Sequence, residues 1–81
     1  MTEQELNHLG NSLIFMTRYS LPRNTSSDMA TTSALRVFWS QLKEVHRKRI
    51  VETIESEKDL YGYDAWLWND FLEWVKAIEV I

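Results

Sequence analysis

The sequence predicts an all-α fold, a small bundle of three or four helices that forms a single domain over residues 1–81. Only two glycines and one proline interrupt the 81 residues. Sustained alternation of apolar and polar residues, the mark of strands, is absent. Apolar residues recur instead at spacings of three and four, which is the period of an amphipathic helix.

The first helix is predicted over about residues 2–19. Thr2 is placed to cap it, and Glu5 follows three positions later as the acid of a capping box. The apolar stripe consists of Leu6, Leu9, Leu13 and Met16, widened by Ile14 and Phe15. Gly10 interrupts this stripe at a cost in helix propensity, which is compatible with close contact to another helix.

The next segment, Pro22 and the polar run 23–28, has the composition of a loop. Ser27 or Asp28 is then expected to cap a second helix over about residues 29–41. The side chains expected to point inward are Ala34, Leu35, Phe38 and Leu42.

A break is predicted near residues 42–44, between the second helix and a third over about residues 44–58. If the helix continued, its apolar stripe would jump by more than a quarter turn at this point. After the third helix, residues 61–64 have the composition of a turn, with Gly62 in it and Asp64 as the cap of a last helix over about residues 65–80. The last helix is expected to bury Leu67, Phe71, Trp74, Val75 and Ile78.

Composition excludes several classes of protein. The chain has no cysteine, so disulfides, thiolate metal sites and cysteine nucleophiles are ruled out. No run approaches the ~20 apolar residues of a membrane helix, and the N-terminal residues are acidic and polar, so we expect no membrane contact and a cytoplasmic location. The net charge of −3 argues against bulk attraction to nucleic acid. The charge is unevenly spread, since residues 1–49 are net basic and residues 50–81 net acidic.

The sequence predicts a protein that is not an enzyme and needs no cofactor or metal. Its two histidines, His8 and His46, lie in no catalytic or metal-binding motif. We interpret His8 as a surface side chain and His46 as one more donor in a basic run. Two glycines cannot build a phosphate-binding loop, and the carboxylates of the second half are interpreted as a solvated face.

A cluster of aromatic residues near the last helix is the first candidate site, for binding a protein. Trp66 would lie on nearly the opposite side of the helix from Phe71, at roughly 220°. It therefore either packs on the turn at 61–64 or on the second helix, or it contributes to an interface, where Trp, Tyr and Arg dominate binding. The predicted protein-binding residues are Tyr61, Tyr63, Trp66, Trp68, Arg18 and Arg23.

A basic patch beside an aromatic ring is the second candidate site, for contact with nucleic acid, because such a patch can hold phosphates while the ring stacks on a base. It combines the basic run Arg47, Lys48 and Arg49 with Arg18, Tyr19, Arg23, Asn24 and Thr25. In that case the second and third helices would resemble a helix-turn-helix. A structural homodimer is a third alternative.

One segment resembles a known group of proteins. Residues 18–25 are Arg-Tyr-Ser-Leu-Pro-Arg-Asn-Thr. This is similar to the Arg-Tyr-Ala-Leu-Gly-Arg-x-Thr segment of a group of small bacteriophage and prophage proteins, with Pro22 where Gly is common and Ser20 where Ala is common. Downstream similarities at Trp39 with Leu42, at Arg49-Ile50 and Ile54, at Tyr61-Gly62-x-Asp64 and at Trp68-x-x-Phe71 extend the resemblance over about residues 15–75.

The resemblance implies a phage origin and a small accessory role in a bacterial host. By analogy with small phage proteins, that role is to bind a host protein and modulate or inhibit it. Arg18 and Arg23 would then offer fork-shaped donors to carboxylate or phosphate. Alternatively, they pair with Asp28 or with the acidic second half and only fix the loop.

Overall fold

The computed structural model describes residues 1–21, 26–57 and 65–79. These residues form four α-helices and one 3₁₀ turn. The elements are α1 (Glu3–Ser20), α2 (Ser26–Phe38), the 3₁₀ turn (Trp39–Gln41), α3 (Glu44–Glu57) and α4 (Ala65–Glu79). The described ranges contain no strand. The predicted all-α bundle is confirmed.

Helix α1 begins with the predicted capping box. Thr2 has extended backbone angles, with φ −74° and ψ 164°. The Glu5 backbone N–H donates to Thr2 Oγ1 over 3.1 Å, and the Thr2 backbone N–H donates to Glu5 Oε1 over 3.0 Å. Two of the N–H groups that lack a partner at a helix start are satisfied in this way.

Helix α2 begins three residues earlier than predicted, at Ser26 instead of Met29. The expectation that Ser27 or Asp28 caps this helix is therefore wrong, because both lie inside its first turn. Ser and Asp suit a first turn as well as a loop, since their oxygens interact favourably with the free N–H groups there. Asp28 is buried, with 1% exposure. The loop predicted over residues 22–28 is therefore wrong for residues 26–28, which are helical, and its residues 22–25 lie outside the described residues.

The predicted break between the second and third helices is confirmed. After the 3₁₀ turn, Leu42 is extended, with φ −72° and ψ 147°. The Lys43 carbonyl then accepts from the backbone N–H groups of His46 and Arg47, each over 3.0 Å. The Lys43 side chain also pairs with the carboxylate of Glu3, which joins the start of α3 to the start of α1.

The hydrophobic core lies between the helices, with Trp39 of the 3₁₀ turn among its largest members. The Trp39 ring meets Phe71 edge to face, with centroids 5.3 Å apart, and Trp74 at 6.4 Å. The core consists of Leu13, Ile14, Leu21, Leu35, Trp39, Leu42, Ile50, Ile54, Trp68, Phe71, Leu72 and Val75.

Helix α4 packs against α2, and its buried face is rotated from the predicted one, since Trp68 and Leu72 are buried in place of Trp74 and Ile78. Trp74 is half-buried and Ile78 remains 37% exposed, so the prediction that α4 buries both is wrong. Arg36 of α2 forms a cation–π contact with Trp74, since its guanidinium lies 5.5 Å from the centroid of the ring. The same guanidinium donates to Asp70 over 2.9 Å.

The contact between α1 and α2 includes buried hydroxyl groups. Ser20 Oγ and Thr31 Oγ1 are 2.7 Å apart, and both residues are almost fully buried. The Thr17 hydroxyl donates a hydrogen bond to the Leu13 carbonyl over 2.8 Å. Each buried hydroxyl thus has a partner, which removes the cost of burying it unpaired.

Candidate protein-binding site

Helices α1 and α3 come into close contact where Gly10 faces His46. A Cβ atom at position 10 would overlap the imidazole ring, so only glycine accommodates this packing without a shift. The ring is 8% exposed, and its Nδ1 has no hydrogen-bond partner in the described ranges. The interpretation of His46 as a donor in the basic run is therefore wrong, because the ring fills the space that Gly10 leaves. The predicted close helix contact at Gly10 is confirmed.

A groove of about 470 Å³ lies beside this contact. We call it the α1/α3 groove; it is lined by Asn11, Ile14, Phe15, Arg18, Val45, His46 and Arg49. Ile14 and His46 are 8% exposed and form its floor. Phe15 and Val45 form its rim, with 68% and 64% exposure.

The helical period explains why Phe15 faces outward. Relative to the buried Leu13, Phe15 lies at about 200° around α1 and Arg18 at about 140°. The prediction that Phe15 widens the core stripe is therefore wrong. The angle of Phe15 around α1 could have predicted its exposure, because a side chain nearly opposite the core stripe points away from the core.

Sequence reasoning also missed Val45 as a surface residue. On α3, Val45 and Arg49 lie at about −140° and −100° from the buried Ile50, so they share one side of the helix. That side faces the groove. The spacing of four residues between Val45 and Arg49 therefore places an apolar and a cationic side chain together on the rim of the groove.

Tyr19 extends the aromatic surface along α1. Its ring stacks on that of Phe15, with centroids 6.3 Å apart and planes inclined by 21°. The two residues are four apart, the spacing at which helical side chains meet. Tyr19 is 51% exposed, so the pair presents a continuous aromatic surface next to the groove.

Two arginines give the groove its positive charge. Arg18 and Arg49 are both exposed and line the groove as well as an adjoining hollow with Glu52, Thr53 and Ser56. Neither arginine forms an ion pair with another described residue, so the alternative pairing of Arg18 with Asp28 is not formed. Their planar forks of N–H donors are suited to carboxylate or phosphate oxygens.

The predicted nucleic-acid patch is divided between two faces of α3. Arg47 and Arg49 are about 160° apart around the helix, because consecutive residues advance by about 100°. Arg47 reaches back to the Trp39 carbonyl, to which it donates over 3.4 Å. Arg47 and Lys48 line a different groove together with Glu44, Val51, Glu52 and Glu79. The expectation that residues 47–49 lie in one basic patch with Arg18 is therefore wrong for Arg47 and Lys48, whereas Arg49 lines the α1/α3 groove with Arg18.

The predicted aromatic site is also divided. Trp66 is 62% exposed, whereas Trp68 is fully buried. Placing Trp68 on a binding surface is therefore wrong, since at about 60° from Phe71 it falls on the core side of α4. Tyr61, Tyr63 and Arg23 lie outside the described residues, as does any packing of Trp66 on the turn at 61–64.

Two further properties concern the described part of the chain. None of its helices combines the length and apolar character needed to cross a bilayer. Within the same residues, no three His, Asp or Glu side chains are grouped so that they would hold a metal ion.

No protein-family model, curated protein or solved structure matches this chain. The resemblance to small phage proteins therefore stays a prediction that rests on the short motifs of the sequence.

Proposed function

We propose that this protein is a small binding protein that acts without catalysis and holds a partner protein in the α1/α3 groove. The observation that carries the proposal is the exposure of Phe15 and Val45 in one groove with two arginines that have no ion-pair partner in the described structure. Apolar side chains on the rim supply binding energy when they are covered. Arginine and aromatic residues are the types that dominate protein interfaces.

The contiguity of these side chains distinguishes them from ordinary surface residues. Single exposed apolar residues, such as Met29 on α2, are common in folded proteins and need no explanation. Phe15 and Val45 instead line one concave surface from two helices, and Tyr19 stacks on Phe15. Concave surfaces with apolar walls and a few polar groups are typical binding sites.

The sequence resemblance supports a more specific role for the binding. It favours a phage-encoded accessory protein, located in the cytoplasm of a bacterial host, that modulates or inhibits the host protein it binds. Binding through the groove would inhibit a host protein by covering part of its surface, without any chemical reaction.

Nucleic-acid binding is the less favoured alternative. Lys48 and Arg47 share their groove with Glu44, Glu52 and Glu79, so carboxylates offset their charge. The two arginines of the α1/α3 groove would neutralise about two phosphates, and binding without further contacts is weak at physiological salt.

Site-specific photo-crosslinking in bacterial cells tests the proposal. A photoreactive phenylalanine analogue replaces Phe15 in one variant and Val37 in a matched control. Val37 is 67% exposed on α2, so the two positions differ in location but hardly in accessibility. We expect one defined crosslinked protein at position 15 and none at position 37.

The contrary outcome is equally clear. Equal crosslinking at both positions, or none at position 15 in a variant whose circular dichroism shows a folded helical protein, contradicts the proposal. Competition by unlabelled wild-type protein, but not by Phe15→Ser, identifies the crosslink as binding through the groove.

A further inference from the structure

We infer that the partner presents an acidic segment to the α1/α3 groove, with Asp or Glu carboxylates at Arg18 and Arg49 and an apolar side chain between Phe15 and Val45. This inference rests on the proposed function and names the chemistry of the partner. It follows from the charges and the shape of the groove.

The positive charges of two arginines indicate an acidic partner. Arg18 comes from α1 and Arg49 from α3, yet both line the same groove and the same adjoining hollow. Glu52 borders that hollow and offsets one positive charge, which leaves the site net positive. A carboxylate placed there would accept charge-assisted hydrogen bonds from the arginine forks.

The apolar rim of the groove indicates that the partner also inserts an apolar side chain. Phe15 and Val45 lie on different helices, so a side chain that enters the groove contacts apolar surface on both sides. The floor beneath is also apolar at Ile14. Burial of such an anchor supplies affinity, while the charges at the rim select the partner and speed its encounter.

The same charges argue against a second copy of this chain in the groove. A two-fold dimer would place the same patch of both copies face to face. The two arginines of one copy would then lie close to the two arginines of the other, and like charges in an interface are unfavourable. The occupant we infer is therefore a foreign acidic protein segment.

Selection from a random peptide library on the intact protein tests this inference. We expect enrichment of peptides that combine two or more Asp or Glu residues with a bulky apolar residue. The binding of a selected peptide is then measured by fluorescence anisotropy against three variants, each checked for folding by circular dichroism.

The variants distinguish the effect of charges in the groove from the effect of charges elsewhere on the protein. Arg18→Gln/Arg49→Gln removes the two charges of the groove, and Arg47→Gln/Lys48→Gln removes two charges from the other face as the matched control. We expect the first pair to weaken binding by about tenfold or more, the control pair to change it by less than about twofold, and Phe15→Ser to weaken it as well. Added salt should weaken binding to the wild type.

Several outcomes overturn the inference. Peptides that depend on Phe15 but not on the two arginines contradict the acidic partner and leave the proposed function standing. Equal losses for both charge pairs show non-specific attraction. The inference is also contradicted if peptide binding does not depend on Phe15 or on the arginines, or if no peptide is enriched. The crosslinking at position 15 tests the proposed function separately.

Two controls address the other occupants. A single-stranded oligonucleotide that binds more tightly than the peptides, and loses binding in Arg18→Gln/Arg49→Gln, would assign the groove to nucleic acid. Self-association in sedimentation experiments that disappears in Phe15→Ser would assign it to a second copy. Either result overturns the acidic protein segment.

Discussion

Gly10 of α1 lies directly against the imidazole ring of His46 on α3, so that a single methyl group at position 10 would collide with the ring. The residues are distant in the chain, and their contact sets how closely the two helices approach. It also positions part of the floor of the α1/α3 groove, because His46 lies in that floor. The fold and the candidate site therefore depend on the same pair.

Gly10→Ala is expected to destabilise the protein, although alanine favours helix over glycine by about 1 kcal/mol. Forcing a methyl group into a packed site costs about 1–3 kcal/mol, which exceeds or cancels that gain. The free energy of unfolding in urea measures the net effect.

A second substitution isolates the cause. His46→Ala removes the ring, so adding Gly10→Ala to it should stabilise that variant, because only the helix propensity then counts. If Gly10→Ala stabilises the wild type to the same extent, the close contact between Gly10 and His46 is refuted.

The buried hydroxyl pair between α1 and α2 leads to a second prediction. Thr31→Val keeps the shape of the side chain but removes its hydroxyl, which lies 2.7 Å from Ser20 Oγ. We expect a loss of about 1 kcal/mol in the free energy of unfolding. Ser20→Ala combined with Thr31→Val should cost less than the sum of the single changes, because the two groups share one hydrogen bond. Strictly additive losses in a double-mutant cycle would show that the hydroxyls act independently.

The two tryptophans at the start of α4 should respond oppositely to truncation. Trp68 is fully buried, so Trp68→Ala is expected to cost about 3–5 kcal/mol, and Trp68→Phe provides a milder variant if the alanine variant does not fold. Trp66 is 62% exposed, so Trp66→Ala should change the stability by no more than about 0.5 kcal/mol. Thermal unfolding followed by circular dichroism compares them. Similar losses of stability at both positions would contradict a structure in which Trp68 is buried and Trp66 is exposed.

The capping box predicts a dependence of stability on acid. The backbone hydrogen bond from Thr2 lowers the pKa of Glu5 below its usual value of 4.5, and the Thr2 side chain adds to this. Because the pKa is lower in the folded protein, the stabilisation is fully present above pH 4.5 and is lost as the pH falls through the folded pKa.

Glu5→Gln should therefore flatten the decline of stability in acid, since glutamine accepts the same hydrogen bond without titrating. Urea unfolding across the acid range measures the slope. Glu55→Gln is the matched control, because it removes an exposed carboxylate that has no role at a cap. An unchanged slope in Glu5→Gln would show that the carboxylate charge contributes nothing to the cap.

The features that sequence predicted best are those that depend on neighbours in the chain. The capping box of Thr2 and Glu5 follows from a spacing of three residues, and the break at Leu42 follows from the phase of the apolar stripe. The start of α2 was missed because Ser and Asp serve both a loop and a first helical turn.

The features that sequence could not supply depend on how the helices pack. Nothing local pairs Gly10 with His46, and so His46 was mistaken for a surface donor. Trp68 could have been assigned correctly from its angle to Phe71, as could Phe15 from its angle to Leu13. The sequence predicts Arg18 and Arg49 in one basic patch, but that they line a groove with Phe15 and Val45 follows only from the packing of α1 on α3.

The division of the α1/α3 groove into a buried floor and an exposed rim has a consequence for the evolution of the protein. Ile14 and His46 hold the helices together, whereas Phe15, Arg18, Val45 and Arg49 are open to solvent. Side chains on this rim can be replaced without opening a cavity in the core, since surface substitutions rarely change stability by much. The groove can therefore follow a changing partner, or be redirected to a new one by an engineer, while the scaffold beneath it stays the same.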